Sequence, residues 1–462
     1  MSTGYDFDLV CIGSGPAGQR AAVQAAKIGK RAAVIESRRI VGGACIETGT
    51  IPSKTFREAV LSFAGASTAG SSLQRHRPTA PDLLSRVGDV VRREADIVDD
   101  QLARNDVTLI RGHGSFQDDH TLVIESEQGR RTVAAEYILI AVGTRPGEPP
   151  GVEPDDELII TSDSICRLKK LPRSMTVVGA GVIGIEYASM FANLGVDVTL
   201  VDKRTRPLEF LDSEIVDELI HQMRKRDVIF RLGEAVETID VADGPPRRAA
   251  IVLESGKRIV SDMVLFSVGR TGATDRLHLE RAGLRADQRG RLRVDEHFRT
   301  EVPHIFAAGD VIGFPSLAAT SSEQGRLAAC FAFGLEARPM ASHYPVGIYA
   351  IPEISMVGAP EHELTEQRVP YEVGLARYRE IARGQILGDD SGLFKMLFHR
   401  ETRQLLGVHV IGTHATELIH IGQAVLRLGG GLEYFLETVF NYPTLAECYK
   451  VAALDASNKL AR

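Results

Sequence analysis

The sequence predicts a multidomain α/β protein, and three observations point to that class. The chain has 462 residues, which is more than one hydrophobic core usually organises. A pattern of strand, glycine-rich turn, helix and strand occurs twice, over residues 7–36 and 175–202. After about residue 340 the pattern changes to alternating strands and two amphipathic helices. We therefore expect two similar α/β units and a smaller α+β domain.

The two repeated units share the same order of parts and the same spacing. The first comprises the strand Phe7–Ile12, the GxGxxG glycines Gly13, Gly15 and Gly18, a helix over Gln19–Ile28, and the strand Ala32–Ile35 ending at Glu36. The second comprises the strand Met175–Val178, the glycines Gly179, Gly181 and Gly184, a helix to Leu194, and the strand Asp197–Val201 ending at Asp202. In both units the acid follows the first glycine by 23 positions.

Each part of this pattern has a physical role in holding a dinucleotide. The first glycine allows a tight turn, the second lets the backbone approach a pyrophosphate, and the third lets the helix pack closely on the strand. The helix N-terminus offers free N–H groups to the phosphates, and the acid binds the ribose hydroxyls. Two Rossmann-like units are therefore expected to hold two nucleotides, a permanently bound flavin and a nicotinamide that enters and leaves.

Turn and linker signals suggest how the domains follow one another. Residues 82–105 have the apolar spacing of a long amphipathic helix, and residues 107–140 read as short strands. Pro146–Pro154 is a proline-rich boundary, and Phe266–Arg270 repeats the character of Ala141–Arg145, which indicates a return to the first domain. The C-terminal elements are expected to be the strands Gly374–Tyr378, Phe394–Phe398 and Leu405–Ile411 and the helices Ala415–Arg427 and Glu433–Phe440. The predicted domains are a split first domain (1–149 and 267–338), an inserted second domain (150–266) and a C-terminal domain (339–462).

Composition and charge exclude several classes of function. The net charge is -7 and the pI about 6.0, so no overall basic field would attract nucleic acid or a membrane surface. The acidic N-terminus does not resemble a signal peptide, and no apolar run reaches the length of a spanning helix. The five cysteines, at positions 11, 45, 166, 330 and 448, form no CxxC pair or metal cluster, and Cys11 is expected to pack in the core. His409, His414 and His420 are interpreted as surface histidines. We expect a cytoplasmic protein without a metal site.

Five motifs together carry a resemblance to a known family. They are the first unit from Gly13 to Glu36, the segment from Val41 through Cys45 to Lys54, the second unit from Gly179 to Asp202, Ala307–Asp310, and Ile351–Glu353. Over essentially its whole length the chain resembles the flavoprotein pyridine nucleotide–disulfide oxidoreductases, most closely their soluble transhydrogenase branch. The resemblance implies FAD on the first unit, NAD(H) and NADP(H) as substrates on the second, and a homodimer, with larger assembly left open.

The resemblance also implies roles for particular residues. The FAD residues would be Gly13, Gly15, Gly18, Glu36, Gly143 and Asp310, and the NAD(P) residues Gly179, Gly181, Gly184, Asp202, Lys203, Arg204 and Gly269. Lys54 corresponds to a lysine near the flavin that pairs with a glutamate, here Glu186, and would stabilise negative charge on the reduced ring.

Two departures from the family pattern concern disulfide chemistry. Disulfide-reducing members have a second cysteine five positions after the first, but here Thr50 follows Cys45 at that place. Near the C-terminus, Tyr442 stands where those enzymes have a proton-shuttling histidine, while the accompanying glutamate remains as Glu447. A hydroxyl cannot form a disulfide, and tyrosine is a poor proton shuttle at neutral pH. Cys45 is then a remnant, or alternatively a thiol that cycles through sulfenic acid.

What remains is the half-reaction between nicotinamide and flavin. The expected function is hydride transfer from NADPH to NAD+, or the reverse, by a ping-pong scheme through reduced FAD at one nicotinamide site. Asp202 beside Lys203 and Arg204 offers both an acid for the NAD ribose and cations for the NADP 2′-phosphate, unless these cations are only solvated turn charges. The alternatives are a diaphorase or quinone reductase, a residual disulfide reductase such as a dihydrolipoamide dehydrogenase, and a flavin-binding sensor.

Overall fold

The computed structural model describes residues 4–68, 78–149, 152–242 and 246–461. Numbered along the chain, its strands are β1 (Phe7–Ile12), β2 (Ala32–Glu36), β3 (Thr108–Arg111), β4 (His113–Phe116), β5 (Thr121–Ser126), β6 (Gly129–Ile140), β7 (Thr144–Pro146), β8 (Ile159–Thr161), β9 (Ser174–Val178), β10 (Asp197–Asp202), β11 (Ile229–Leu232), β12 (Val236–Ala242), β13 (Arg248–Leu253), β14 (Arg258–Ser261), β15 (Met263–Phe266), β16 (Arg270–Gly272), β17 (Ile305–Ala307), β18 (Val346–Ile348), β19 (Ile354–Gly358), β20 (Tyr371–Arg377), β21 (Leu393–His399) and β22 (Leu405–Ile411). Its helices are α1 (Pro16–Lys27), α2 (Gly43–Glu47), α3 (Thr50–Thr68), α4 (Ala80–Ala103), α5 (Val182–Asn193), α6 (Ser213–Arg224), α7 (Ala318–Ala332), α8 (Glu361–Glu366), α9 (Ala382–Leu387), α10 (Ala415–Arg427), α11 (Leu432–Glu437) and α12 (Glu447–Leu460). The predicted α/β class with a C-terminal α+β part is confirmed.

The first sheet has the strand order β3-β2-β1-β6-β5-β4, with β17 beside β6. Strands β1, β2, β3 and β17 run parallel to the end of β6, while β5 pairs antiparallel with its beginning. Leu9 and the predicted core residue Cys11 pack with the helices on one face, and Val10 and Ile12 pack with β4 and β5 on the other. Because parallel strands end at one edge, the loops after β1, β2 and β17 meet there.

The second sheet, β11-β10-β9-β15-β8, is entirely parallel. Strands β12, β13 and β14 form a separate antiparallel meander, and β15 belongs to the parallel sheet. Helix α5 is buried on almost every side, and its Phe191 ring lies 5.8 Å from the Phe56 ring of α3. The second unit therefore packs directly against a helix of the first.

The chain passes between the two units through a short ribbon. Strands β7 and β16 pair antiparallel, with Thr271 opposite Arg145. The segments 141–145 and 266–270, which have similar sequences, therefore lie beside each other. The chain leaves the first unit through one of them and returns to it through the other. The domain boundaries at 149, 266 and 338 stay predictions, and residues 150 and 151 of the proline-rich linker lie outside the described residues.

The C-terminal part is an antiparallel sheet, β18-β19-β22-β21-β20, covered by α10 and α12. Two predicted elements differ from the structure. The strand predicted as Gly374–Tyr378 is Tyr371–Arg377, because Tyr378 opens a 3-10 turn. The helix predicted as Glu433–Phe440 ends at Glu437, because Thr438 has extended backbone angles.

The prediction that His409 is a surface residue is wrong. His409 is 1% exposed in β22, and its Nε2 lies 3.0 Å from the carbonyl oxygen of Ala359. Burial lowers the pKa of this imidazole to about 4, so the ring is neutral at pH 7. Among the described residues, no helix combines the length and the apolar character that crossing a membrane requires.

Candidate active site

A cavity of about 1030 Å³ opens between the two α/β units and the C-terminal part. Eight of the predicted site residues line it: Gly13, Gly15, Glu36, Cys45, Lys54, Gly143, Glu186 and Asp310. The second glycine turn does not line this cavity, but α5, which begins directly after that turn, does so through Val182 and Ile183. The cavity therefore extends from the first dinucleotide turn to the first residues of the second unit's helix.

The first glycine turn has the shape that a pyrophosphate requires. A side-chain carbon at Gly13 would lie 2.4 Å from the Ala141 oxygen, and one at Gly18 would lie 1.9 Å from the Gly13 oxygen, so both positions exclude side chains. Gly13 also has a φ of +108°. A carbon at Gly15 would meet nothing within 4 Å, and α1 begins there without a side-chain cap. Open space beside uncapped N–H groups fits a bound phosphate.

The second turn repeats this geometry. A side-chain carbon at Gly179, where φ is +104°, would lie 2.7 Å from the Ser267 oxygen, and one at Gly184 would lie 1.9 Å from the Gly179 oxygen. Gly181 again faces open space, and α5 begins there without a side-chain cap. Both units can therefore hold a dinucleotide by the same contacts.

The acid of the first unit is buried at the end of β2. Glu36 accepts hydrogen bonds from the Ser14 amide (3.0 Å) and hydroxyl (2.5 Å) on Oε2, and from the Arg38 amide (2.7 Å) on Oε1. The Arg38 guanidinium turns away from Glu36 and pairs with Glu47 at 2.5 Å. Glu36 can therefore still accept a hydrogen bond from a ribose hydroxyl.

The acid of the second unit is buried in the same place but bonded differently. Asp202 accepts from the Ala180 amide (2.6 Å) and, on both oxygens, from Arg204, whose Nε and Nη2 lie 3.0 and 2.7 Å away. Burial alone would raise the pKa of Asp202, but the hydrogen bonds from Arg204 and Ala180 hold this pKa below its usual value. Lys203 is exposed to solvent.

Asp310 follows β17 at the same edge of the first sheet. Burial raises the pKa of Asp310, against the opposing effects of Arg270 and of the Thr144 hydroxyl at 3.4 Å. Arg270 also donates to the Thr144 carbonyl at 2.9 Å and to Asp163 at 3.3 Å, so it ties the ribbon to the second unit. Gly143 and Gly269 have φ of +66° and +78° where the chain enters this ribbon. Sequence reasoning missed Arg270, which directly follows Gly269.

Lys54 and Glu186 meet at the centre of the cavity wall. Lys54 lies in α3 and Glu186 in α5, and Nζ is 3.0 and 2.9 Å from the two carboxylate oxygens. Glu186 is 3% exposed, and Lys54 is the counter-ion of this buried carboxylate. A cation is therefore held where helices of the two units touch.

Residues 349–351, just before β19, hold this ion pair from the C-terminal part. The Tyr349 amide donates to Glu186 at 2.8 Å, and the Ile351 amide donates to the Ser189 hydroxyl oxygen at 3.0 Å. Between them, the Ala350 oxygen accepts from Arg57 of α3 at 3.0 Å. The Lys54 ammonium lies 4.8 Å from the centre of the Tyr349 ring, within the range of a cation–π contact. Sequence reasoning missed Tyr349, although it stands two residues before the Ile351–Glu353 motif.

Cys45 lies on α2 beside Thr50, the first residue of α3. Burial raises the pKa of the Cys45 thiol, and the Thr50 hydroxyl and Lys54 oppose that rise without cancelling it. The thiol therefore stays protonated at neutral pH, which makes it a weak nucleophile. All five cysteines are free thiols.

The two C-terminal residues singled out from the sequence do not reach this cavity within their own chain. Tyr442 is 69% exposed, and Glu447 begins α12, with its Oε2 buried and without a hydrogen-bond partner. Neither is among the residues that line the cavity. Within one chain, Tyr442 and Glu447 therefore do not contribute to the predicted catalytic site.

Fold and site together define a protein with two dinucleotide-binding units, an ion pair between them and a C-terminal domain that supports this pair. Residues 7–325 match the model of the pyridine nucleotide-disulphide oxidoreductases, and residues 344–453 match the dimerisation domain of the same family. The chain belongs to the pyridine nucleotide-disulphide oxidoreductase family.

Relatives and solved structures cover nearly the whole chain. A soluble pyridine nucleotide transhydrogenase of Mycobacterium bovis is 54% identical over 98% of each chain, and one of Hahella chejuensis is 45% identical over 99% of each. LpdA of Mycobacterium tuberculosis has a TM-score of 0.89 at 26% identity, over 96% of this chain and 99% of that one. The HOCl-induced flavoprotein disulfide reductase RclA of Escherichia coli has a TM-score of 0.87 at 27% identity, over 97% and 99%.

Proposed function

We propose that this chain is an FAD-dependent enzyme that transfers hydride between the two nicotinamide nucleotides, NADPH + NAD+ = NADP+ + NADH. The observation that carries the proposal is the pairing of two complete dinucleotide turns with a cysteine that has no thiol partner. The relatives that are 54% and 45% identical are named soluble pyridine nucleotide transhydrogenases. Dithiol chemistry requires a second thiol near Cys45, and Thr50 cannot supply it.

The predicted nucleotide-binding residues and Lys54 have separate tasks in this reaction. FAD would be held by Gly13, Gly15, Gly18, Glu36, Gly143 and Asp310, and the visiting nucleotide by Gly179, Gly181, Gly184, Asp202, Lys203, Arg204 and Gly269. The flavin supplies the two-electron chemistry that takes hydride from one nicotinamide and returns it to the other. Lys54, fixed by Glu186 and Tyr349, holds a positive charge where negative charge develops.

The family supports the assembly, and the location is part of the proposal. The chain forms a homodimer through the dimerisation domain that residues 344–453 match, and it works in the cytoplasm. Because Lys54 and Glu186 both contact Tyr349, the dimerisation domain contributes a residue to the catalytic site.

Anaerobic reduction tests the proposed function directly. Purified protein containing FAD is mixed with NADPH until the visible flavin absorbance is lost, and NAD+ is then added. We expect the absorbance to return, with one NADH formed for each NADPH consumed. Recovery with a quinone or peroxide but not with NAD+ would identify a diaphorase and overturn the proposal, as would rapid turnover of lipoamide.

The variant Cys45→Ser is expected to keep the NADPH:NAD+ rate within about twofold of the parent. The reason is that burial raises the pKa of this thiol, so a protonated group is replaced by another neutral group. Steady-state rates from pH 6 to 8 measure the effect. Cys166→Ser is the control, since burial raises the pKa of that thiol to about 11. A tenfold loss confined to Cys45→Ser would show that Cys45 takes part in the reaction.

A further inference from the structure

The two dinucleotide units contain the same local arrangement at the end of their second strand, with one difference. In each unit an arginine stands two positions after the acid, and its amide donates to that acid: Arg38 to Glu36 at 2.7 Å and Arg204 to Asp202 at 2.8 Å. The Arg38 guanidinium leaves the acid and pairs with Glu47. The Arg204 guanidinium folds back onto Asp202.

This pairing uses the full hydrogen-bonding capacity of Asp202. An ionised carboxylate accepts about four hydrogen bonds, and Asp202 receives four: two from the Ala180 and Arg204 amides, and two from Nε and Nη2 of Arg204. A ribose with two free hydroxyls can therefore reach the acid only if the guanidinium leaves. The number of bonds released, two, equals the number of hydroxyls to be bound.

The same guanidinium also has donors to spare. Two of its five N–H groups bond to Asp202, so three remain for another acceptor. The Arg204 side chain is 39% exposed, whereas the Asp202 side chain is 6% exposed. The pair therefore presents a cation to solvent and shields the carboxylate behind it.

We propose that the Asp202–Arg204 ion pair selects between NADP(H) and NAD(H) by opening and closing. This rests on the proposed function, in which both nucleotides visit the second unit. When the pair is closed, Arg204 neutralises Asp202 and offers its outer N–H groups to the 2′-phosphate of NADP(H). When the pair is open, the two ribose hydroxyls of NAD(H) replace the guanidinium on Asp202. Arg204 is thus a specificity-determining residue that attracts one nucleotide and competes with the other.

The competition predicts an unusual response to removing the cation. In Arg204→Gln, we expect the Kd for NADPH to rise about 10- to 100-fold, because charge-assisted bonds are lost and Asp202 faces the phosphate uncompensated. The Kd for NADH is expected to fall about 2- to 10-fold, because the acid is already free. Anaerobic calorimetric titration of the protein whose FAD has first been reduced with dithionite measures both constants, because a reduced flavin accepts no hydride from NADPH or NADH. An NADH affinity that is unchanged or weaker overturns the proposal.

Three further variants separate competition from general loss of positive charge. Lys203→Gln removes an adjacent exposed cation but leaves the ion pair intact, so it should weaken NADPH without tightening NADH. Arg206→Gln is the matched control: its guanidinium bonds to Asp217 and the Ser213 oxygen, each at 2.7 Å, so both affinities should stay within about twofold. Asp202→Asn should weaken NADH more than NADPH. If Arg204→Gln and Arg206→Gln changed the ratio of the Kd for NADPH to the Kd for NADH equally, selection by the Asp202–Arg204 pair would also be refuted.

The binding measurements do not depend on hydride transfer. If the affinities for NADPH and NADH shift as expected but NADPH and NAD+ exchange no hydride, the proposed function is wrong and selection by the Asp202–Arg204 pair is supported. If hydride exchange is intact and Arg204→Gln weakens the binding of both nucleotides equally, only the proposal of selection by the Asp202–Arg204 pair is wrong. FAD content and thermal melting of each variant show whether it has folded.

Discussion

Replacing Lys54 by methionine is expected to slow hydride transfer about 100-fold or more, which is the usual cost of removing a preorganised charge from a catalytic site. Methionine fills similar space but carries no charge. The ammonium that it replaces lies 2.9 Å from Glu186 and 4.8 Å from the centre of the Tyr349 ring, so the substitution removes the positive charge that these two residues position. Stopped-flow reduction of the flavin by NADPH measures the rate.

Two comparisons make the Lys54 result specific. Glu186→Gln keeps an acceptor for Lys54 and for the Tyr349 amide, so it should slow the reaction less than Lys54→Met. The double variant should be little slower than Lys54→Met alone, because the two residues act as one unit. If Lys54→Met reduced the flavin at the parent rate, the catalytic role of the ion pair would be refuted.

Replacing Lys395 by methionine is expected to lower the free energy of unfolding by about 3 to 5 kcal/mol. Lys395 on β21 is fully buried, and its ammonium contacts Asp212 at 3.0 Å and Glu214 at 2.5 Å, and also pairs with Glu361. Asp212 caps α6 of the second unit and is 1% exposed. Without the ammonium, a buried carboxylate lacks a counter-ion where the C-terminal domain meets the second unit. Denaturant unfolding measures the loss.

The loss should depend on pH in a defined way. Burial would raise the pKa of Asp212, but His409 and Lys395 together outweigh it and hold the pKa below 3.8, so the stabilisation exists above that pH and disappears as pH falls through the folded value. Burial would lower the pKa of Lys395, yet the carboxylates raise it above 10.5, so the stabilisation persists below that pH and is lost as pH rises further. The difference between parent and variant should therefore be constant from about pH 5 to 9.

A second lysine of the same domain provides the control for Lys395. Lys459 also pairs with a carboxylate, Asp455 at 2.7 Å, but both side chains are more than one-third exposed. Lys459→Met should cost no more than about 1 kcal/mol. Equal losses in the two variants would show that burial of the Lys395 cluster has no special effect on stability.

Many features of this protein could be predicted from short stretches of sequence. The glycine turns and their acids lie within single βαβ units, where the distance from glycine to acid is set by one helix and two strands. Helix α10 has the predicted bounds Ala415–Arg427, because its apolar period is unbroken. The predicted strand Gly374–Tyr378 and helix Glu433–Phe440 were displaced or too long, because local turns end these elements in ways that periodicity does not reveal.

Lys395 shows most clearly why the remainder could not be predicted. It lies between Phe394 and Met396 in a strand whose residues are buried on both faces, so the alternation expected of a half-exposed strand is absent. Its counter-ions come from α6 and α8, and Asp212 is 183 residues away. His409 was misassigned for the same reason, since burial of β22 depends on the helices that cover it.

The sequence by itself determined that two dinucleotide units are present, that each ends in an acid, and that Cys45 has no thiol partner five positions later. These properties depend on residue identity and local spacing. Only the tertiary structure decided that Lys54 meets Glu186 across 132 residues, that Tyr349 covers the pair, and that Arg204 closes on its acid while Arg38 leaves its own. Such contacts depend on how distant elements pack and on which partner a flexible side chain finds there.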